Sequence, residues 1–343
     1  MSGDPTRKPS PVKHYLPHFL SAIAAAAVLL LLSVYLPRFI SPYIIQILVF
    51  VGCNIILAAS LNLINGVTGQ FSIGHAGFMA LGAYTSAYIS VTFGQHWLAP
   101  FIGTPQETLV TSLYLVALMI VAGLAAALGG LLVGLPSLRL RGDYLAIATL
   151  GFGEIIRVLL LNIDAVGGAR GFTGIPRYSN LFLVFGAATI TVVALRNLVS
   201  SVHGRALLAL REDETAAESL GIDCAHYKTA AFVLGAFFAG VAGCLYAHYL
   251  QFIHPRGFDF MKSIELVLMV VLGRGSLAGA CIAAVFVTLL PEGLRQVKDV
   301  LHLQTDPRMV IYAALLIAVM LLRRDKVARG LSSIRKGGKS RGV

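Results

Sequence analysis

Charge is scarce in this chain. Only 13% of its 343 residues are Asp, Glu, Lys or Arg, about half the share of roughly 25% that covers a water-facing domain. Apolar residues make up 57%. That composition excludes an ordinary soluble protein, and it equally excludes a disordered chain, which is poor in hydrophobic residues. Length alone suggests two soluble domains, but the hydrophobicity asks for a bundle of membrane helices. Cysteine is also sparse. Cys53, Cys224, Cys244 and Cys281 lie far apart and form no C-x-x-C pair. They read as small buried hydrophobes, neither disulfides nor metal ligands.

Several reactive patterns are missing. The one Gly-Lys-Ser, Gly338–Ser340, has Ser333 where a nucleotide-binding P-loop needs its first glycine. There is no G-x-S-x-G, no H-E-x-x-H and no regular array of basic residues within a span. An intramembrane enzyme therefore lacks a nucleophile–base pair or metal cluster, and any ATP must be hydrolysed on another chain.

What the chain has is long apolar runs. A spanning helix needs ~20 such residues to cross ~30 Å of hydrocarbon. Ten candidates run approximately over 18–36, 43–64, 72–93, 109–135, 144–162, 181–199, 229–250, 261–273, 276–293 and 308–322. The first follows Arg7, Lys8 and Lys13, but Pro37-Arg38-Phe39 after it is no cleavage site, so it reads as an uncleaved span. The pair over 261–293 crosses twice or forms a re-entrant hairpin, giving eight to ten crossings. The predicted fold is an all-α, polytopic membrane bundle. A tail over 1–17 precedes a transmembrane domain over 18–322, and a basic tail over 323–343 follows it.

The net charge of +11 is distributed by side. With both ends on the cytoplasmic face, that face receives the N-terminus, Arg139–Arg141, Arg196–Lys228, Arg274 and the tail. These hold 18 of the 27 Lys and Arg residues. Such an excess marks the cytoplasmic side. The tail reads as a membrane-surface stop signal and not as a nucleic-acid patch.

Polar residues inside the spans are the candidate functional groups. The third span reads Gly69-Gln70-Phe71-Ser72-Ile73-Gly74-His75-Ala76-Gly77-Phe78 and then Gly82-Ala83-Tyr84. Its glycines suit close helix packing or a broken helix that exposes backbone to a substrate. The fifth span carries Glu154 and Arg157 three apart on one face, either as a pathway pair or as a self-neutralising structural pair. Between 200 and 228 lies a polar loop containing Arg211-Glu212-Asp213-Glu214-Thr215-Ala216-Ala217-Glu218-Ser219-Leu220-Gly221. The spacing of Ala216, Ala217 and Leu220, with Gly221 after them, predicts a short surface helix ending at a glycine. Such a helix either docks on a partner or is a solvated turn. The segment Val166–Pro176 is glycine-rich and must be turn-rich.

In this order and spacing, the motifs resemble the LivM-type permease of bacterial branched-chain amino acid ABC importers. Gly69–Tyr84 resembles the family's G-x-x-S-x-G-H-A-x-F-x-x-x-G-A-Y signature, and Asp143–Arg157 its D-Y-x-A-x-x-T-L-x-x-x-E-I-x-R segment. Gly167–Pro176 resembles the glycine-rich loop ending G-I-P, and Pro291-Glu292 with Arg295 the P-E-x-x-R ending. Arg211–Ile222 resembles the cytoplasmic E-A-A loop of ABC permeases, with Thr215 departing from the triplet. Gly273-Arg274-Gly275-Ser276 departs from the family's Gly-Gly-x-Gly.

The resemblance implies a non-catalytic transport subunit of the bacterial inner membrane that binds no cofactor itself. Its expected partners are a second permease subunit, two ATPase subunits that use the ATP, and a periplasmic binding protein. It implies a coupling helix built on Arg211, Glu214, Ala216, Ala217 and Gly221. It also implies a translocation path bordered by Ser72, Gly74, His75, Gly77, Tyr84, Glu154 and Arg157. Urea, short amides or aromatic acids are alternative substrates. A proton- or sodium-driven carrier using Glu154 and Arg157 is the rival class.

Overall fold

The computed structural model describes residues 40–101, 106–137, 143–301 and 314. The expected span 18–36, the loop Arg139–Arg141, both tails and the expected span 308–322 apart from residue 314 lie outside the described residues.

The described chain is predominantly helical. Its helices are α1 (Pro42–Asn62), α2 (His75–Ile89), α3 (Glu107–Ser137), α4 (Asp143–Asn162), α5 (Leu181–Ser200), α6 (Val202–Glu212), α7 (Glu214–Ser219), α8 (Cys224–Leu250), α9 (Phe260–Leu272) and α10 (Leu277–Leu301). Five helical stretches are long and apolar enough to cross a membrane: Pro42–Val67, Glu107–Pro136, Tyr144–Asn162, Leu181–Ser200 and Cys224–Leu250. The chain is thus an all-α, multi-pass membrane protein. Exposed Leu109, Leu113, Ile120, Leu124, Leu128 and Leu132 run along α3. Such a stripe is tolerated only against lipid or another subunit.

Within the packed bundle, outside the α6–α7 segment, two helices are shorter than a bilayer. α2 has 15 residues and α9 has 13, about 22 and 20 Å at 1.5 Å per residue. Before α2 the chain is not α-helical: α1 passes into a π-helical turn over Leu63–Val67, then an irregular stretch leads to Gly74. After α2 a second π-helical turn runs over Ser90–Gly94. Of the two readings of the segment 72–93, close packing or a broken helix, the break holds at its start, since the α-helix begins only at His75.

α8 is the central helix. It packs along α3, α2 and α1, while α1 also carries α5 and α10, and α9 lies against α10 and α1. At the α2–α8 crossing, a Cβ on Gly82 would strike the Gly240 backbone. Small residues bring the two axes together there because lipid supplies no hydrophobic drive between helices. Phe78 and Phe232 meet edge to face at 5.5 Å in the same interface, and Phe232 is fully buried.

The glycine-rich segment over 163–176 turns through two short 3₁₀ stretches, Asp164–Val166 and Gly168–Arg170. It packs over the helix ends: Phe172 and Ile253 exchange backbone hydrogen bonds of 2.8 and 3.1 Å, and Ile175 is buried. Lys262 falls inside α9, and Arg295 and Lys298 inside α10. These three cations sit on helices and not in connecting loops.

Candidate functional site

The break between α1 and α2 gathers polar groups in an otherwise apolar interior. Asn65 spans it. Its Oδ1 accepts from the Ser72 amide at 3.1 Å and its Nδ2 donates to the Ser72 carbonyl at 3.2 Å. The side chain thereby replaces the backbone partners that an irregular strand lacks. Thr149 of α4 accepts from the Ile73 amide at 3.1 Å. Gly74 lies so close to α4 that an added Cβ would collide with the Thr149 carbonyl. A Cβ on Gly77 would come within 2.9 Å of Gly153. These contacts make the start of α2 and the middle of α4 one packed unit.

His75 opens α2 and is fully buried. Ser60 Oγ donates to the Leu57 carbonyl at 2.9 Å and lies 2.8 Å from His75 Nε2. A hydroxyl has one proton, which serves one of these two contacts. Among the described residues His75 Nδ1 has no partner, as is true of Ser72 Oγ and the side-chain amides of Asn62 and Gln70. Each unmatched buried group costs about 1–3 kcal/mol. Four residues carrying such atoms around one break make a polar centre that packing alone does not call for.

Two ion pairs flank this centre. On α4, Arg157 Nε and Glu154 Oε2 are 2.6 Å apart. On α9, Lys262 Nζ donates to Glu265 Oε2 at 3.1 Å and to Asn54 Oδ1 at 3.2 Å. Asn54 in turn donates to Thr288 at 2.8 Å, so the network ties α9, α1 and α10 together. The neighbouring Ser263 hydroxyl accepts from the Ala76 amide at 3.4 Å, which joins α9 to the start of α2. Ser72, Gly74, His75 and Gly77 therefore sit together, with Glu154 directly after Gly153. Tyr84 stands farther along α2, its hydroxyl donating to the Ile253 carbonyl at 3.4 Å.

The sequence reading missed the Lys262–Glu265 pair. Its i,i+3 spacing is the same signal as Glu154 and Arg157, but Lys262 stands at the edge of its apolar run. Asn54, Asn65 and Thr149 gave no signal, because their roles depend on partners far away in the chain.

At the far end of α5 and α8, the polar loop folds into α6 and α7. Ser201 accepts from the Gly204 amide and Asp213 from those of Thr215 and Ala216, so each helix has a capped start. Gly221 has φ +83, which a glycine adopts without steric cost. Ala217 is buried with Leu210 and Cys224, whereas Ala216 is exposed and Leu220 is 80% exposed. Glu214 pairs with Lys228 at 2.5 Å. Arg211 is exposed and pairs with Glu212 at 2.6 Å, but it also reaches the break: its Nη1 donates to the Gly66 carbonyl at 3.1 Å, and its Cγ is 2.8 Å from where a Cβ on Gly69 would stand. The α6–α7 hairpin thus touches the α1–α2 break directly.

A multi-pass helical bundle with a discontinuous helix, buried polar centre and capped extramembrane hairpin has the build of a membrane transport subunit. Its sequence belongs to the family described as branched-chain amino acid transport system / permease component, whose profile matches residues 43–320. The high-affinity branched-chain amino acid transport system permease protein LivM of Escherichia coli (strain K12) is 35% identical over 319 residues, covering 82% of this chain and 71% of the relative. LivH, a permease protein of the same description from that strain, is 26% identical over 298 residues, covering 78% and 88%. The L-arabinose ABC transporter permease protein AraH of Azospirillum brasilense is 30% identical over 312 residues, covering 84% and 82%. No solved structure matches the chain.

Proposed function

We propose that this chain is one permease subunit of an ATP-driven importer of branched-chain amino acids, paired with a second, related permease. Its 35% identity with LivM over most of its length is the observation that carries the substrate class. The similarity to LivH supports a heterodimeric pairing. In this reading two ATPase subunits bind below the α6–α7 hairpin, and a binding protein delivers substrate at the opposite end. The chain lies in the bacterial inner membrane with both termini inside, and ATP is hydrolysed only on its partners.

The hairpin is the coupling element. Leu220 and Ala216 face the ATPase, while Ala217 anchors the hairpin to the permease. ATPase closure moves the hairpin, and Arg211 passes that movement to the Gly66–Gly69 turn. The α1–α2 break with Ser72, Gly74, His75 and Gly77 borders the path, and Glu154–Arg157 holds its wall neutral.

Reconstitution with the partner subunits and radiolabelled leucine, isoleucine, valine, phenylalanine, urea and L-arabinose tests the substrate class. ATP-dependent uptake confined to the three branched-chain acids is expected. Uptake of arabinose alone, or uptake that survives ATP depletion, would overturn it. Ser72→Ala tests the path. Ser72 Oγ has no partner among the described residues, so its removal does not lower stability but lowers uptake; unchanged uptake would make Ser72 a packing residue.

A further inference from the structure

At the end of the bundle opposite the α6–α7 hairpin there is a cavity of about 400 Å³, within the range of roughly 300–1,000 Å³ typical of small-molecule sites. It lies where α1, α3 and α5 begin and α8 ends. Its lining is mixed: Ile45 and Leu181 are aliphatic, Thr111 brings a hydroxyl, Glu107 and Arg177 bring opposite charges, and Tyr249 brings an aromatic face. The α6–α7 hairpin and the polar centre use none of these residues.

Arg177 organises the cavity. Its guanidinium carbon sits 4.8 Å from the centroid of the Tyr249 ring. A cation–π contact engages the face of a guanidinium, whereas its N–H donors lie in the plane of the group. Among the described residues, no carboxylate stands within ion-pair distance of Arg177. The structure therefore holds an aromatic-braced cation in the wall of a cavity that has a carboxylate of its own and an aliphatic side.

We propose that this cavity receives the substrate zwitterion before it enters the path. Arg177 takes the α-carboxylate, Glu107 takes the α-ammonium, and Ile45 and Leu181 line the room for a branched aliphatic side chain. The assignment rests on the proposed function above and adds to it the groups that read the amino-acid backbone. It also separates this chain from a sugar permease, because arabinose has no carboxylate for Arg177.

The test uses the assembled permease–ATPase complex in nanodiscs, without binding protein, and radiolabelled leucine as the probe. Competitors are isoamylamine, which lacks the carboxylate, 4-methylpentanoate, which lacks the ammonium, and L-arabinose. The wild-type complex binds leucine saturably, and leucine competes at least about tenfold better than either truncated analogue, the difference expected from one charge-assisted contact. Arg177→Gln weakens leucine binding by a similar factor and removes the preference over isoamylamine. Glu107→Gln removes the preference over 4-methylpentanoate. Arg177→Lys, which keeps the charge, retains part of the carboxylate preference and guards against a folding defect. Leucine binding by Arg177→Gln equal to wild type, or isoamylamine competing as well as leucine, would overturn the assignment. So would the absence of saturable binding in a complex that imports leucine when its binding protein is added. That import assay keeps the two readings apart: leucine uptake with an unaltered Arg177→Gln variant refutes the reception site alone.

Discussion

Ser60 and His75 stand fifteen positions apart, yet Ser60 Oγ lies 2.8 Å from the imidazole Nε2. That leaves His75 Nδ1 buried with no partner among the described residues. Glycines at this scale act through space and not flexibility. Gly74→Ala forces a methyl into the Thr149 carbonyl, an overpacking that costs about 1–3 kcal/mol. Gly151→Ala meets nothing within 4 Å. Thermal unfolding of the two purified variants should separate them, the first melting lower and the second unchanged or higher; equal melting would contradict the α2–α4 packing. The ion pair on α4 makes a second residue-scale prediction. Glu154→Gln or Arg157→Gln alone leaves a charge in an apolar face, whereas the double substitution removes both. Expression in membranes should fall for each single variant and recover in the double. Recovery of uptake as well would exclude an essential role of the pair in transport.

At the scale of elements, the π-helical turn Leu63–Val67 is the joint. It receives Arg211 from α6 at the Gly66 carbonyl. From the α9–α10 turn, Gly275 Cα comes within 3.0 Å of where a Cβ on Gly66 would stand. Arg211→Ala removes the hairpin's contact with the Gly66 carbonyl, together with a surface ion pair to Glu212. ATPase binding and basal hydrolysis should persist while uptake per ATP drops about tenfold, equivalent to ~1.4 kcal/mol of lost coupling. An unchanged ratio would mean that the movement travels by another contact. Gly221→Val works differently, because a β-branched residue is strained at φ +83. It should misplace Leu220 and weaken capture of the ATPase subunits in detergent pull-downs. Intact capture together with normal uptake would remove Gly221 from the coupling element.

At the scale of the whole molecule, the prediction concerns sidedness. All four cysteines are free, and three of them are buried, so a cysteine-free background is a reasonable starting point for labelling. A single cysteine at Ala169 should react with a membrane-impermeant maleimide from the periplasm, and one at Ser219 only after the membrane is opened. The reverse pattern would invert the orientation.

How much of this was legible beforehand follows from range. The apolar runs read as spans because one run and the bilayer thickness suffice to define a crossing helix, and α1, α3, α4, α5 and α8 lie where the runs lie. The α7 helix and its terminal Gly221 were legible for a similar reason: capping and glycine conformations are settled within a few neighbouring residues. Local pattern also made Ser72, Gly74, His75 and Gly77 visible as a motif, and Glu154 with Arg157 as a pair. It left the third span either packed or broken, because the break before His75 is held by Asn65 and by Thr149 of another helix. It could not bring Lys262 to Asn54, Arg211 to Gly66 or Arg177 to Tyr249, since each pair is far apart in the chain. Composition and periodicity act along the chain, whereas the partner of a buried polar group is whichever atom the packed helices bring within hydrogen-bond reach. The scarcity of charge pointed to a membrane bundle, and only the packing decided which of the few charges ended up inside it and beside what.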